Sequence, residues 1–305
     1  MLLAFLKLIR FPNLLMILLT QVLIKYGLFD SFGISITLNG LGFSLLVVAT
    51  ICIAAAGNII NDIYDLETDR INKPNKNQVG SKFSIGSANT LYIILSIIGV
   101  GFGFYLSNII GKPGFSAIFI IISALLYLYA TYLKHIMIVG NLVISLLVAF
   151  SIIIVGLYDL LPAITAENQQ TQSTIFSIVL DYALFAFLLN WLREMVKDQE
   201  DINGDYNAGR NTLPIEIGAK RTNLVIFLVG ILPLTAVIYY LYNYLFENIW
   251  AVLYALLLIV APLLYFLINI WTAETKKDYT KLSFLLKIIM LLGIVSLGLY
   301  KFILL

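Results

Sequence analysis

An apolar run long enough to cross a bilayer as a helix returns nine times along this chain, and that repetition limits the fold more than any other feature. A spanning helix needs ~20 predominantly apolar residues. Runs of that length fall near 8–28, 41–61, 90–110, 114–133, 136–157, 174–196, 222–243, 248–271 and 282–304. The expectation is an all-α polytopic membrane protein, with residues 1–305 forming one transmembrane domain. Composition excludes a water-soluble globule. The chain is 12% charged, about half the roughly 25% of a soluble domain, and its mean hydropathy is +0.96.

Charge placement orients the helices. Short loops retained inside the cell are enriched in Lys and Arg. With the N-terminus inside, 16 of the 19 basic residues fall on the inner side, and only Lys25, Lys112 and Lys301 fall outside. A miscounted helix would scramble that parity. The third and fourth runs are divided only by Gly111-Lys112-Pro113-Gly114, a strong turn signal. Lys7 and Arg10 precede the first run, but no small-residue cleavage pattern follows it, so a retained helix is expected there. Cys52 is the one cysteine and lies in an apolar run, which leaves no intrachain disulfide and makes a thiolate metal site implausible.

Against this apolar background two acidic stretches stand out. The first is Asn61-Asp62-Ile63-Tyr64-Asp65-Leu66-Glu67-Thr68-Asp69-Arg70, followed by Lys73-Pro74. The second runs from Arg193-Glu194 through Lys197-Asp198-Gln199-Glu200-Asp201-Ile202-Asn203-Gly204-Asp205. Asp62, Asp65 and Asp69 are spaced i, i+3, i+7, and so are Asp198, Asp201 and Asp205. On a helix each triplet would project from one face. Both stretches follow even-numbered helices and so belong to one membrane side, in loops expected near 62–89 and 197–221. The matched spacing suggests an internal duplication in which the second and sixth helices end in equivalent acidic turns.

Two aspartate clusters at one membrane surface repel each other unless cations sit between them. All-oxygen ligands suit Mg²⁺, Mn²⁺ or Ca²⁺ rather than zinc. Mg²⁺ usually takes one or two carboxylates and completes its shell with water and substrate phosphates. With Arg70, Lys73, Lys197 and Arg210 nearby, the pattern reads as a cradle for a metal-bound diphosphate. Its position at helix ends suggests a lipid diphosphate whose hydrocarbon tail lies among the helices. A calcium loop at Asp201 is excluded, because Tyr206 stands where an EF-hand needs glycine and Thr212 where it needs glutamate.

Asn61-Asp62-x-x-Asp65-x-x-x-Asp69-Arg70 with Asn72-Lys73-Pro74, Asp201-x-x-x-Asp205 and Gly209-x-x-Thr212-Leu213-Pro214 resembles the UbiA superfamily of intramembrane prenyltransferases. The likeness includes the nine-helix layout. It implies a magnesium-dependent transferase whose two Mg²⁺ ions are held by Asn61, Asp65, Asp69, Asp201 and Asp205, the four aspartates being catalytic. Arg70 and Lys73 fall where the family has diphosphate-contacting bases. Arg10 resembles the family's first-helix arginine, with a positive-inside anchor as the plainer reading. Tyr129, Tyr132 and Lys134 also match the family, although interfacial tyrosines and a snorkelling lysine explain them nearly as well. Arg193 and Lys197 are candidates for contact with diphosphate or a second anionic substrate, and Asp198 for an outer-sphere or acceptor-side group. His135 reads as interfacial. Asp181 carries no functional expectation. After Asn75-Lys76 the chain departs from the family's proline-containing turn and reads Asn77-Gln78-Val79-Gly80.

The mechanism the resemblance implies is ionisation of the diphosphate, with the allylic cation captured by an acceptor in a water-free bundle. The motif details are most similar to the digeranylgeranylglyceryl phosphate synthase branch, with geranylgeranyl diphosphate as donor and geranylgeranylglyceryl phosphate as acceptor. Prenylation of an aromatic quinone precursor such as 4-hydroxybenzoate or dihydroxynaphthoate is the alternative. A transporter with intramembrane carboxylates is a distant rival, disfavoured because the carboxylates lie at helix ends. The partners implied are the donor, a lipid or aromatic acceptor and membrane lipids; neither a nucleic acid nor a protein partner is implied. The expected location is the cell membrane, with the N-terminus and both motifs on the cytoplasmic side.

Overall fold

The computed structural model describes residues 1–72 and 77–303. Among these, nine helices are long and apolar enough to span a bilayer: Phe11–Phe29, Gly40–Tyr64, Ile85–Ile109, Pro113–Thr131, Val139–Ala163, Gln169–Asn207, Ala219–Leu245, Ile249–Thr272 and Lys276–Leu299. They correspond one to one with the nine apolar runs. Their ends differ where polar residues carry a helix past its apolar stretch. The third span starts at Ile85, where the Ser84 side chain accepts from the Ser87 amide. The ninth starts at Lys276 behind a capping box formed by Thr275 and Asp278.

The largest departure is the sixth span. It is continuous for 39 residues, ~58 Å of helix, so the second acidic stretch is helical rather than a loop. Apolar length marks how much of a helix lies in lipid, not where its backbone hydrogen bonds stop. The first stretch behaves differently: its helix ends at Tyr64, and a separate short helix, Leu66–Asn72, follows. The two acidic stretches are therefore not equivalent turns.

The second span is central, with 56% of its most apolar window buried against 11% for the fourth. The third and fourth spans pack on the second, the fifth on the sixth, and the seventh and ninth on the sixth. In lipid no hydrophobic drive separates helix from solvent, so close backbone approach decides which helices associate. Gly99 and Gly103, one turn apart on the third span, supply it. A Cβ at Gly99 would lie 2.5 Å from Cγ1 of Ile53 on the second span, and one at Gly103 2.2 Å from Cδ2 of Phe119 on the fourth.

The two ends of the bundle differ in chemistry. At one end Lys25 is buried rather than solvated, its Nζ donating to Asp159 Oδ2 at 2.7 Å and to the Leu38 carbonyl at 2.7 Å. Asp159 also accepts from the Leu38 amide at 2.8 Å, which ties the loop after the first span to the end of the fifth. The opposite end gathers both acidic stretches. There Arg10 meets Asp62, Lys134 meets Asp65 and Asn141 meets Asp198.

Candidate active site

The first motif is shaped by the helix break at Asp65, which has φ −96° and ψ 5°. At the break Asp65 meets Lys134 and Arg210, while Asp62 pairs with Arg10. Asp65 is buried and accepts from Asn61 Nδ2 at 2.7 Å, from Lys134 Nζ at 2.6 Å and from Arg210. Burial by itself raises its pKa, but the charges of Lys134 and Arg210 outweigh this and hold the carboxyl below the usual range. Lys134 sits in the tight turn Leu133–His135 between the fourth and fifth spans. Burial lowers its pKa more than Asp65 raises it. The turn leads into Ile138 at φ 67°, a left-handed conformation that a β-branched residue rarely takes. Its cost, of order 1–3 kcal/mol, is carried by the packing that keeps Lys134 aimed inward.

The second motif lies on the extended end of the sixth span. Asp198 accepts from Asn141 Nδ2 at 2.7 Å, Asp201 lies 3.8 Å from Lys276 Nζ, and buried Asp205 accepts from Arg210 Nη1 at 3.0 Å. Gly209, at φ 66°, ends this helix in the left-handed conformation that suits glycine, and Arg210 turns back over the site. One guanidinium thus joins Asp65 of the first motif to Asp205 of the second. Burial lowers the Arg210 pKa, but the two carboxylates reverse that and raise it.

A backbone clamp sets the register between the motifs. Asn72 donates to the Asp201 carbonyl at 3.0 Å and accepts from the Gly204 amide at 3.0 Å. A Cβ at Gly204 would lie 2.3 Å from the Asn72 side chain, so glycine is what allows the two segments to meet. Asn72 and Gly204 both stand in the motif sequences, but nothing in their spacing shows that they touch.

A basic group of residues borders the carboxylates. Arg10, at φ 53°, caps the first span and donates to Asp62 at 2.8 Å. Burial lowers its pKa, and Asp62 more than restores it. Glu194 accepts from Arg193 at 3.3 Å and from Lys197 at 2.8 Å. Arg10, Asn61, Tyr129, Arg193 and Lys197 line a cavity of about 190 Å³ whose far wall is apolar, with Ile53, Phe119 and Ile154. Asp69 is half-buried within electrostatic reach of Lys134. Arg70 is exposed on the short helix, and Tyr132 is exposed. Lys73 lies outside the described residues. Asp181 belongs to a separate cavity, lined by Tyr240 and Tyr300. The bundle thus brings Asn61, Asp65, Asp205, Lys134, Arg10, Arg193, Lys197 and Tyr129 into one region, with Asp69, Asp198 and Asp201 at its edge.

The donors fit a hard divalent ion. They are carboxylate and amide oxygens on facing segments, at present balanced by Arg210 and Lys134. Among the described residues no three acidic, histidine or cysteine side chains converge on one point.

The comparisons with known proteins agree with this geometry. Residues 15–292 match the UbiA prenyltransferase family. A digeranylgeranylglyceryl phosphate synthase from Methanosphaera stadtmanae is 30% identical over 259 residues, which is 82% of this chain and 86% of that protein. A solved structure described as giving structural and mechanistic insights into the biosynthesis of digeranylgeranylglyceryl phosphate synthase in membranes superposes with a TM-score of 0.66. It is 26% identical and covers 97% of this chain and 98% of that one. A UbiA homolog from Archaeoglobus fulgidus bound to GPP and Mg²⁺ shares the fold, with a TM-score of 0.60, 16% identity and coverage of 97% and 99%. With nine spanning helices and two carboxylate motifs brought together at one end of them, the chain belongs to the UbiA prenyltransferase family and is an integral membrane prenyltransferase.

Proposed function

We propose that the protein transfers a geranylgeranyl group from geranylgeranyl diphosphate to geranylgeranylglyceryl phosphate, with two Mg²⁺ ions, at the cytoplasmic face of the cell membrane. The observation that carries this reading is the Arg210 bridge from Asp65 to Asp205, with Asn61, which bonds Asp65, lining an apolar chamber beside it. The family membership and the synthase-named relative support the donor and acceptor. The count of 16 inner basic residues out of 19 supports the membrane side.

Asn61, Asp65, Asp69, Asp201 and Asp205 would hold the metal. When bound, Mg²⁺ would neutralise phosphate oxygens and favour loss of the diphosphate. The chain supplies the rest. Lys134 and Arg210 are positioned to exchange their carboxylate partners for phosphate oxygens, and Arg10 extends that positive surface; Arg70 and Lys73 are carried over from the family motif as further diphosphate contacts. Tyr129 lines the chamber, and an aromatic ring there would stabilise an allylic cation. The apolar wall of Ile53, Phe119 and Ile154 keeps water from the cation.

The test is to incubate purified protein with Mg²⁺ and radiolabelled geranylgeranyl diphosphate. Geranylgeranylglyceryl phosphate, 4-hydroxybenzoate and dihydroxynaphthoate are offered as acceptors, and products are identified by mass spectrometry. A labelled product from the glycerol phosphate lipid alone is expected. Prenylation of an aromatic acceptor instead would replace the acceptor assignment, and no release of diphosphate under any condition would remove the transferase reading.

A further inference from the structure

The chamber has a second branch that the reading above does not use. A cavity of about 140 Å³ adjoins it and runs between the first, sixth and ninth spans. Asn13, Asn190 and Arg193 line both cavities, and so do Ile17, Val148 and Ser151, so the two adjoin side by side at a junction with polar groups shared between them, the fifth span bordering both. From there the first branch runs to Phe119 and Ile154, and the second to Phe185 and Ile294.

Lys287 lines the second branch. It lies eleven residues along the ninth span from Lys276, ~16 Å of helix rise, and reaches the first turn of the first span. Its ammonium donates to the neutral Asn13 amide oxygen at 2.7 Å. Arg193 Nε is buried with no hydrogen-bond partner among the described residues. Around the junction Arg10 pairs with Asp62, and Arg193 and Lys197 share Glu194, so the Lys287 ammonium, held by a neutral amide, is a further cation there. A phosphate monoester is a strong partner for such a group together with the Arg193 guanidinium.

Building on the lipid-acceptor reading above, we propose that Lys287 and Arg193 bind the phosphate of the acceptor lipid, whose chain occupies the branch between the first, sixth and ninth spans. The donor's diphosphate then belongs to the carboxylate side and its chain to the first branch. Two polyprenyl chains require two apolar paths, and these paths converge where an acceptor headgroup would have to meet the donor's reacting carbon. The charge separation also keeps the anions apart: the acidic side needs metal to hold an anion, and the basic side does not.

The test compares wild type, Lys287→Gln and Lys287→Arg with geranylgeranyl diphosphate and two acceptors, geranylgeranylglyceryl phosphate and the same lipid without its phosphate. For Lys287→Gln, kcat/KM on the phosphorylated acceptor should fall by about tenfold or more, chiefly through its KM. The donor KM and the kcat/KM of the phosphate-free acceptor should change less than about twofold, and Lys287→Arg should restore most of the loss. Ile294→Trp, which fills the second branch without altering charge, should raise the KM of both acceptors and leave that of the donor. Equal losses on the two acceptors in Lys287→Gln, or a rise in the donor KM alone, would overturn the proposal. If the wild type uses the phosphorylated acceptor and Lys287→Gln is unaffected, the branch assignment fails and the acceptor reading stands. A wild type that ignores the phosphorylated acceptor sinks both.

Discussion

Arg210 carries a role that its place in the sequence does not advertise. It neutralises Asp65 and Asp205 together, so the two motifs can face each other before any divalent ion arrives. Arg210→Gln should therefore lower the melting temperature in detergent without Mg²⁺, and Mg²⁺ should raise it by more in this variant than in wild type. An equal Mg²⁺ response in both would show that the guanidinium does not share the ion's place. Asp65→Ala and Asp201→Ala should each reduce turnover by about 100-fold or more while the protein still inserts and folds, because electrostatic groups at such sites are worth several kcal/mol. Full activity in either would remove the motifs from the mechanism. His135 offers a pH signature. Burial, helped by the charges of Arg210 and Lys134, lowers its pKa, so the unfolded chain takes up its proton first on acidification. Stability from this group is complete above about pH 6.5 and is lost as pH falls from there toward the lower folded value. The melting temperature of wild type should fall more than that of His135→Gln between pH 8 and 5.5, as differential scanning fluorimetry would show.

At the scale of elements, the site depends on how segments meet. The Asn72 clamp holds the short helix Leu66–Asn72 against the sixth span, and Gly204 leaves room for it. Gly204→Leu should cut kcat by more than tenfold with every carboxylate in place, since a displacement of about 1 Å can cost 100-fold. Circular dichroism should show the helices intact, and unchanged kcat would mean that the clamp has no role in positioning. Apolar length and charge parity were enough to locate every span. They could not show that the sixth continues to Asn207 while the second breaks at Asp65, since both stretches carry the same i, i+3, i+7 aspartates. Spacing is a property of one segment. Whether a helix continues depends on its tertiary neighbours; Asn141, Arg210 and Lys276 meet the aspartates of the sixth span, and Arg10, Lys134 and Arg210 those of the first motif.

The whole molecule separates a structural end from a chemical one. Lys25 and Asp159, 3% and 0% exposed, sit away from the carboxylates and bind each other and the Leu38 backbone, with Lys25 also over the Phe43 ring. Removing one partner strands a buried charge, so Lys25→Met or Asp159→Leu alone should destabilise the fold by about 3–5 kcal/mol, with the double replacement recovering much of the loss. Thermal denaturation of the three variants, with KM measured beside it, checks this. A large change in KM without a loss of stability would place the pair in function instead.

The sequence by itself determined the membrane class, the nine spans and the residue types of the site. Hydropathy over ~20 residues is a local quantity, and paired aspartate motifs at matched spacing are visible in one dimension. The tertiary structure alone decided which groups share charge: Arg210 between the two motifs, Arg10 on Asp62, Lys134 on Asp65, and the second apolar branch with Lys287 at the junction. Apart from Arg210 with the nearby Asp205, those pairings join residues from 52 (Arg10 to Asp62) to 274 (Lys287 to Asn13) positions apart. They follow from the close approach of helices, which small residues such as Gly99, Gly103 and Gly204 permit and which no spacing along the chain encodes.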